Sequence, residues 1–371
     1  MEQAALPLVS VVIPVYNGSN YLREAIDGAL AQTYPNLEVV VVDDGSTDDT
    51  WAIIQSYGAR LVGLHKDNGG VASALNAGIR RAQGPLVAWL SHDDIFLPGK
   101  LARQAEFMLA HPEAGVCYTD FEIIDAAGAR LATVRAPWVP AQALPREFLR
   151  DMYINGSTVM LRKACFDQTG GFDERLAHTQ DLEMWLRMAE YSELGHLPEV
   201  LIQSRSHPGQ GSLNFEYQIQ EEHALFAALF ERLRPVRFFP ALASVADTRE
   251  REAQGREQFA DDLRRHRGWR RFALEQYRMA LVLRPALRLR GKILTARVGM
   301  ALLGDERESL TQARRARILL SMGQPREARR LSGRLFMRHP LRLDALAIWL
   351  GSWAPRGLMA RLKQIKRRLR P

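Results

Sequence analysis

One stretch limits the fold more than any other. Leu86 to Leu90 is an uncharged apolar run, preceded by Gly84 and Pro85 and followed, after Ser91 and His92, by the adjacent acids Asp93 and Asp94. A run this short and this apolar suits a strand buried on both faces of a parallel sheet. Open α/β sheets bind ligands beyond the carboxyl ends of their strands. Two carboxylates delivered there suit a hard divalent cation, and a cation there suits a diphosphate. The same acids also suit a helix cap before Pro98.

The neighbouring segments repeat the pattern. Leu8 to Ile13 predicts a first strand ending at Pro14, and a helix follows from Tyr21 to about Ala31, capped by Ser19 or Asn20. Leu37 to Val42 predicts a second buried strand that runs into Asp43 and Asp44, with Ser46 or Thr47 capping the helix beyond. Arg60 to Leu64 is a short third strand, Asn68-Gly69-Gly70 a turn, and Val71 to about Ala82 a helix. Strand and helix alternating at this spacing predict a doubly wound α/β layer.

At 371 residues the chain is too long for one ordinary core, so two domains are expected. Charge divides it. Residues 1–235 hold about 18 Lys/Arg and about 30 Asp/Glu, whereas residues 236–371 hold about 32 and about 12. The expected boundary is therefore 235/236, with an acidic front suited to a cation site and a basic back suited to an anionic partner. No run reaches the roughly 18 apolar residues of a membrane span, and the first residues do not read as a secretion signal. The two cysteines, Cys117 and Cys165, are expected to be reduced core residues of a cytoplasmic protein.

No Gly-x-Gly-x-x-Gly follows the first strand and no Gly-Lys-Ser/Thr loop occurs, so dinucleotide and P-loop readings lack their phosphate cradle. The motifs that do occur stand in a telling order. They are Pro14-Val15-Tyr16-Asn17-Gly18, Asp43-Asp44-Gly45-Ser46-Thr47-Asp48, Asn68-Gly69-Gly70 with Asn76-Ala77-Gly78, and Asp93-Asp94 with Pro98. Gly170-Gly171-Phe172-Asp173-Glu174 and Gln180-Asp181-Leu182-Glu183-Met184-Trp185-Leu186-Arg187 continue the series. In these motifs, over residues 7–215, the chain resembles the GT-A-fold glycosyltransferases of family 2. The resemblance implies an α/β fold, a Rossmann-like nucleotide-diphospho-sugar transferase sandwich, here followed by an all-α C-terminal region.

Such enzymes move a sugar from a nucleotide diphosphate to an acceptor hydroxyl. The resemblance implies that Asp44 accepts a hydrogen bond from uracil in a pocket lined by Pro14, Val15 and Tyr16, with Asn68 also binding nucleotide. It assigns Asp93 to the ribose and Asp94 to a bound Mn2+ or Mg2+. Asp43 is expected to be structural. Many relatives carry a further acid where this chain has Ser91, so one carboxylate with phosphate oxygens and water is the expected shell. His92 reads as a soft extra ligand or as a solvated loop residue.

Asp181 is the expected base. It opens an amphipathic helix, and a carboxylate in a partly dry first turn can have a pKa near its task. It also suits the helix dipole. Relatives often have Glu-Asp where this chain has Gln180-Asp181. A single base implies direct displacement with inversion, since retention by double displacement needs a second carboxylate. Ser204 to Ser212 resembles a mobile loop that closes over the diphosphate, with Arg205 on phosphate and His207 completing the metal shell; it equally reads as a surface loop. Trp138, Tyr153 and Asn155 lie in the variable middle, where acceptor contacts are expected; Trp138 suits either a sugar ring or the core.

The basic half is helical in period. Gly268 to Pro285 and Gly323 to Pro340 form a faint repeat, with Ala273 matching Ala328, of tetratricopeptide-like hairpin type. Such repeats bind partners or stack as a scaffold. Leu358, Leu362, Ile365 and Leu369 form an apolar stripe among Arg and Lys, a pattern that suits peripheral contact with anionic lipid on the inner face of the cytoplasmic membrane, or a terminal cap of the repeats. No nucleic-acid reader motif is found. The reading is a metal-dependent inverting glycosyltransferase using a UDP-sugar on a glycan or lipid-linked acceptor, in cell-surface polysaccharide or glycolipid assembly. A sugar-phosphate nucleotidyltransferase and a non-catalytic scaffold are the alternatives. The first lacks a basic loop in Pro14 to Asn20, and the second is opposed by intact Asp93, Asp94 and Asp181.

Overall fold

The computed structural model describes residues 6–210, 215–264, 269–303, 316 and 325–338. The chain forms two compact units, Met1–Gln210 and Gly211–Pro371. This division falls before the charge step at 235, because one helix, Phe215–Phe238, runs through that step.

The first unit is built on a nine-stranded mixed sheet. Strands β1 (Val9–Val15), β2 (Leu37–Asp43), β3 (Val62–His65) and β4 (Leu86–Trp89) are parallel, in the order β3-β2-β1-β4. The sheet continues from β4 through β8 (Met160–Arg162), β6 (Ala114–Ile124) and β9 (Glu193–Arg205) to β5 (Ile95–Phe96), and β7 (Arg130–Val134) pairs with β6. Helices α1 (Leu22–Leu30), α2 (Thr50–Ser56), α3 (Gly70–Arg81), α4 (Lys100–Ala110), α5 (Leu144–Arg150), α6 (Cys165–Thr169) and α7 (Gln180–Met188) connect them. Every residue of β1 and β4 is buried, as expected of apolar runs covered on both faces. The first two helix caps differ from expectation: Tyr21 precedes α1 and Asp49 precedes α2.

Register places the motifs. Val15 pairs with Asp43, and Val12 pairs with Trp89. Tyr16, Asp44 and the Asp93–Asp94 loop therefore emerge from one edge of the sheet. β1 lies between β2 and β4, where successive connections diverge and a crevice opens. Pro14 fits inside β1 because pairing to β4 has already ended at Val12, so its missing N–H removes no ladder bond on that side.

Lys100, at the start of α4, is fully buried. Its Nζ donates to Gln104 Oε1 at 2.6 Å and stands 4.1 Å from the Phe96 ring centroid. Burial lowers the amine to about 7. Between that value and its ordinary pKa the unfolded chain binds more protons than the folded one, so stability rises with pH across this window. The Lys100→Met variant is expected to be more stable by about 2 kcal/mol at pH 7, after allowing for the lost hydrogen bond, and to lose the alkaline rise. Thermal melts of both proteins from pH 6.5 to 10 measure this; an unchanged slope in the variant refutes it.

In the second unit every described regular element is helical: α8 (Phe215–Phe238), α9 (Thr248–Asp262), α10 (Arg270–Leu283), α11 (Leu287–Leu303) and α12 (Pro325–Arg338), besides one short 3-10 turn at Pro240–Ser244. The faint repeat maps onto α10 and α12. Ala273 and Ala328 each occupy the fourth position of their helix, and both are fully buried. Part of the basic excess is paired internally: Lys292 reaches Glu257 at 2.8 Å and Asp261 at 2.6 Å. Gly268, Gly323, Pro340 and the stripe from 358 to 369 lie outside the described residues. Among the described residues no helix is long and apolar enough to cross a membrane.

Candidate active site

The crevice has two acidic corners. At the first, Asp43 is consumed within the fold: Oδ1 accepts from Ser46 N at 3.0 Å, and Oδ2 lies 2.7 Å from His65 Nδ1. Asp44, also buried, accepts from Gly70 N at 2.7 Å and Gly69 N at 3.1 Å, and Lys66 Nζ lies 2.5 Å from its Oδ1. Its carboxylate thus anchors the start of α3. Gly45 makes the turn, with φ of 77°, and a Cβ there would stand 2.8 Å from Asn68 N. Of the residues expected to wall a base, Pro14 and Val15 are buried while Tyr16 is 48% exposed. Asn68 is exposed on the opposing loop. Lys66 was not singled out from the sequence; a lysine directly after a strand and before Asn-Gly-Gly was the available signal.

The second corner holds Asp93 and Asp94, both buried. Asp94 Oδ1 accepts from the main-chain N–H of Arg205 at 2.9 Å. Burial first, and the charge of Asp93 second, push Asp94 up to about 7, more than donors from Ser157, Arg205 and Ser204 offset. Burial acts upward on Asp93 too, but contact with His207, whose Nε2 lies 3.0 Å from Asp93 Oδ2, leads the effects that hold it below the usual range. His92 is partly buried, and burial lowers its pKa; a Cβ on Gly18 would stand 2.5 Å from its ring, so it packs on the β1 loop.

Arg205 has a different surrounding from the one expected. Its guanidinium is buried and turned to protein acceptors: Asp93 O at 3.1 Å, Ala126 O at 3.2 Å and Glu24 Oε2 at 2.5 Å. Only its main-chain N–H touches Asp94. The distant carbonyls that occupy it were not legible as neighbours in the sequence. Asn155 supports the same corner, donating to Ser204 Oγ at 3.1 Å.

Asp181 is the second residue of α7 and is partly buried, with Oδ1 accepting from Leu182 N at 2.7 Å. α7 is tied to the end of β4 through rings. Phe172 lies edge-on to Trp89 at 5.9 Å and to Trp185 at 6.3 Å. Asn76 clasps the main chain of Phe172, accepting from its N–H at 2.8 Å and donating to its carbonyl at 2.9 Å. Gly171 permits this, because a Cβ there would stand 2.6 Å from Asn76 Oδ1. The Asn-Ala-Gly and Gly-Gly-Phe-Asp-Glu motifs are therefore two halves of one clasp. Gln180 Oε1, beside Asp181, is buried without a hydrogen-bond partner. Trp138 is 60% exposed and so is not a core residue, while Tyr153 is partly buried against Tyr118 and Phe148.

Residues 10–165 match the family described as glycosyl transferase family 2. An uncharacterized glycosyltransferase of Rickettsia prowazekii (strain Madrid E) is 40% identical over 235 residues, which are 61% of this chain and 73% of that protein. The chain belongs to glycosyl transferase family 2. Chondroitin synthase of Pasteurella multocida (strain Pm70) is 32% identical over 198 residues, but these are 53% of this chain and only 20% of that enzyme. Among solved structures, S. aureus TarS aligns with a TM-score of 0.50 at 18% identity, over 78% of this chain and 53% of that one. A Pyrobaculum calidifontis mannosyltransferase, in complex with GDP-Man and Mn2+, aligns with a TM-score of 0.50 at 21% identity, over 86% and 87%. These likenesses establish the GT-A glycosyltransferase fold for the sandwich, with a helical region after it.

The residues of this family 2 glycosyltransferase fit a divalent cation at the second corner. Asp94 is a fully buried carboxyl whose proton is retained to about 7 because burial, and then the charge of Asp93, disfavour its ionised form. A cation bound there would replace that proton. Among the described residues no three His, Cys, Asp or Glu side chains are gathered around one point.

Proposed function

We propose that this glycosyltransferase moves a sugar from a UDP-sugar to an acceptor hydroxyl with inversion, with Mn2+ or Mg2+ on the diphosphate. The observation that carries the reading is the buried Asp94 beside Asp93 at the end of β4, in the crevice where α/β sheets hold ligands. When bound, the cation neutralises charge on the departing diphosphate. Asp94 would hold that cation, joined by His207, whose Nε2 lies 3.0 Å from Asp93 Oδ2. Tyr16 covers the base, Asp44 accepts from it, Pro14 and Val15 form the floor, and Asn68 closes the edge. Asp93 holds the ribose. Asp181 takes the acceptor proton. Arg205 serves the site through the protein groups it holds.

The acceptor is a glycan or lipid-linked saccharide of cell-surface assembly. The chondroitin and hyaluronan synthases among the relatives support this class. Exposed Trp138 supports it too, as a flat apolar face suited to a sugar ring. The basic helical unit suits a protein partner or an anionic membrane face of the cytoplasm, and no nucleic acid enters the reading.

The experiment is a thermal melt against UDP, GDP, dTDP, CDP and CMP, each with and without Mn2+. A ligand at a hundred times its Kd adds about 2.7 kcal/mol to the folded state. A shift with UDP that requires Mn2+ is the expected result. A shift with GDP instead overturns the donor assignment, and a shift indifferent to cation overturns the metal assignment.

A further inference from the structure

Glu24 stands in the first turn of α1, with its side chain 57% exposed, and none of the sequence motifs includes it. Its Oε2 lies 2.5 Å from Arg205 Nη2. Arg205 is 2% exposed, and Glu24 is the only carboxylate among the side-chain partners described for it. A guanidinium taken out of water needs such a counter-charge, and removal of one partner strands the other.

What Arg205 holds gives the pair its meaning. Nε donates to the carbonyl of Asp93 at 3.1 Å, and the residue's own N–H donates to the Asp94 carboxylate at 2.9 Å. Nη1 donates to the carbonyl of Ala126 at 3.2 Å, in the turn between β6 and β7. The guanidinium lies 4.5 Å from the Tyr21 ring centroid, and that ring lies 5.0 Å from His207, which contacts the Asp93 carboxylate. The Arg205 side chain therefore braces the main chain of the first acid directly and the histidine through the Tyr21 ring, while the residue's own N–H, positioned by that anchored side chain, holds the carboxylate of the second.

We propose that Glu24 and Arg205 form a strut that aims Asp93 and Asp94 at the cation and diphosphate, so that Glu24 is a positioning residue for a site it does not touch. The proposal rests on the cation-dependent reading of that site. The pair acts by fixing direction. Two adjacent buried acids repel each other when both are ionised, and the strut opposes that repulsion. Outer partners of this kind change metal affinity by 10–100-fold when removed.

The test titrates Mn2+ at fixed UDP and reads the melting shift, in the full-length protein and in Glu24→Gln, Arg205→Lys and the double variant. Glu24→Gln is expected to raise the Mn2+ concentration at half-maximal shift by about tenfold. Arg205→Lys, which keeps charge but loses the planar fork, is expected to do the same, and the double variant no more than the worse single one. In transfer assays at saturating Mn2+, kcat is expected to fall more than the donor KM rises. A structural role alone would lower the unliganded melting temperature and leave the Mn2+ midpoint in place. Unchanged midpoints in both single variants, with a cation-dependent response in the unaltered protein, overturn the strut. Absence of any such response in the unaltered protein overturns the functional reading, and the strut with it.

Discussion

The Asp181→Asn variant is expected to lose transfer by about 10³-fold while retaining the UDP-dependent and Mn2+-dependent melting shift. The substitution preserves shape, and an amide oxygen still accepts from Leu182 N, so α7 should keep its first turn. What it removes is basicity at the acceptor hydroxyl. The packing of Phe172 between Trp89 and Trp185 and the Asn76 clasp do not involve Asp181. Single-turnover transfer and the melt, measured on one preparation, separate the two effects. Transfer within tenfold of the unaltered enzyme would remove Asp181 from the base role. Loss of the melting shift would make it a binding residue instead.

The Asp94→Asn variant is expected to lose both transfer and the melting shift. Transfer falls by at least about 10³-fold, and the cation-dependent shift disappears with it. The unliganded protein, in chelator, should nevertheless become more stable. The sign follows from the raised pKa. Between the ordinary carboxyl value and about 7 the folded protein holds a proton on Asp94 that the unfolded chain has released, so stability falls as pH rises through this window. Above it the buried charge beside Asp93 is a standing cost, and the amide removes both charge and repulsion. A gain of about 3 kcal/mol at pH 8, fading toward pH 4, is expected. A variant less stable than the parent at pH 8 would mean that Asp94 is satisfied without a cation, contrary to the fit argued for it. Function and stability thus trade against each other at this residue, as is common where a site is built to await a ligand.

The two acidic corners were legible because local chemistry wrote them. An uncharged apolar run ending in acids can be read without knowing its neighbours, and β1, β2 and β4 lie where such runs stand. Asp43 was expected to be structural, and its carboxylate is consumed by Ser46 and His65. The expectation for Arg205 was drawn from a polar, glycine-rich loop. Nothing local could reveal that carbonyls from the Asp93 loop and the β6–β7 turn would occupy its guanidinium. The compact units part before the charge step because charge is a surface property, while a domain border follows packing, and α8 packs with the helices after it.

The sequence by itself determined the parallel strands, the edge at which Asp44, Asp93 and Asp94 emerge, and the motif order that marks the family. Apolar runs, turn residues and helix periods act over a few positions, so their consequences are written next to them. Only the tertiary structure decided which polar groups meet. The Arg205 N–H reaches Asp94 from 111 positions away, Glu24 reaches Arg205 from 181, and Asn76 clasps Phe172 from 96. Such pairings are selected by sheet order and by the need of each buried charge or donor to find a partner, and that need is met by whatever the fold brings near.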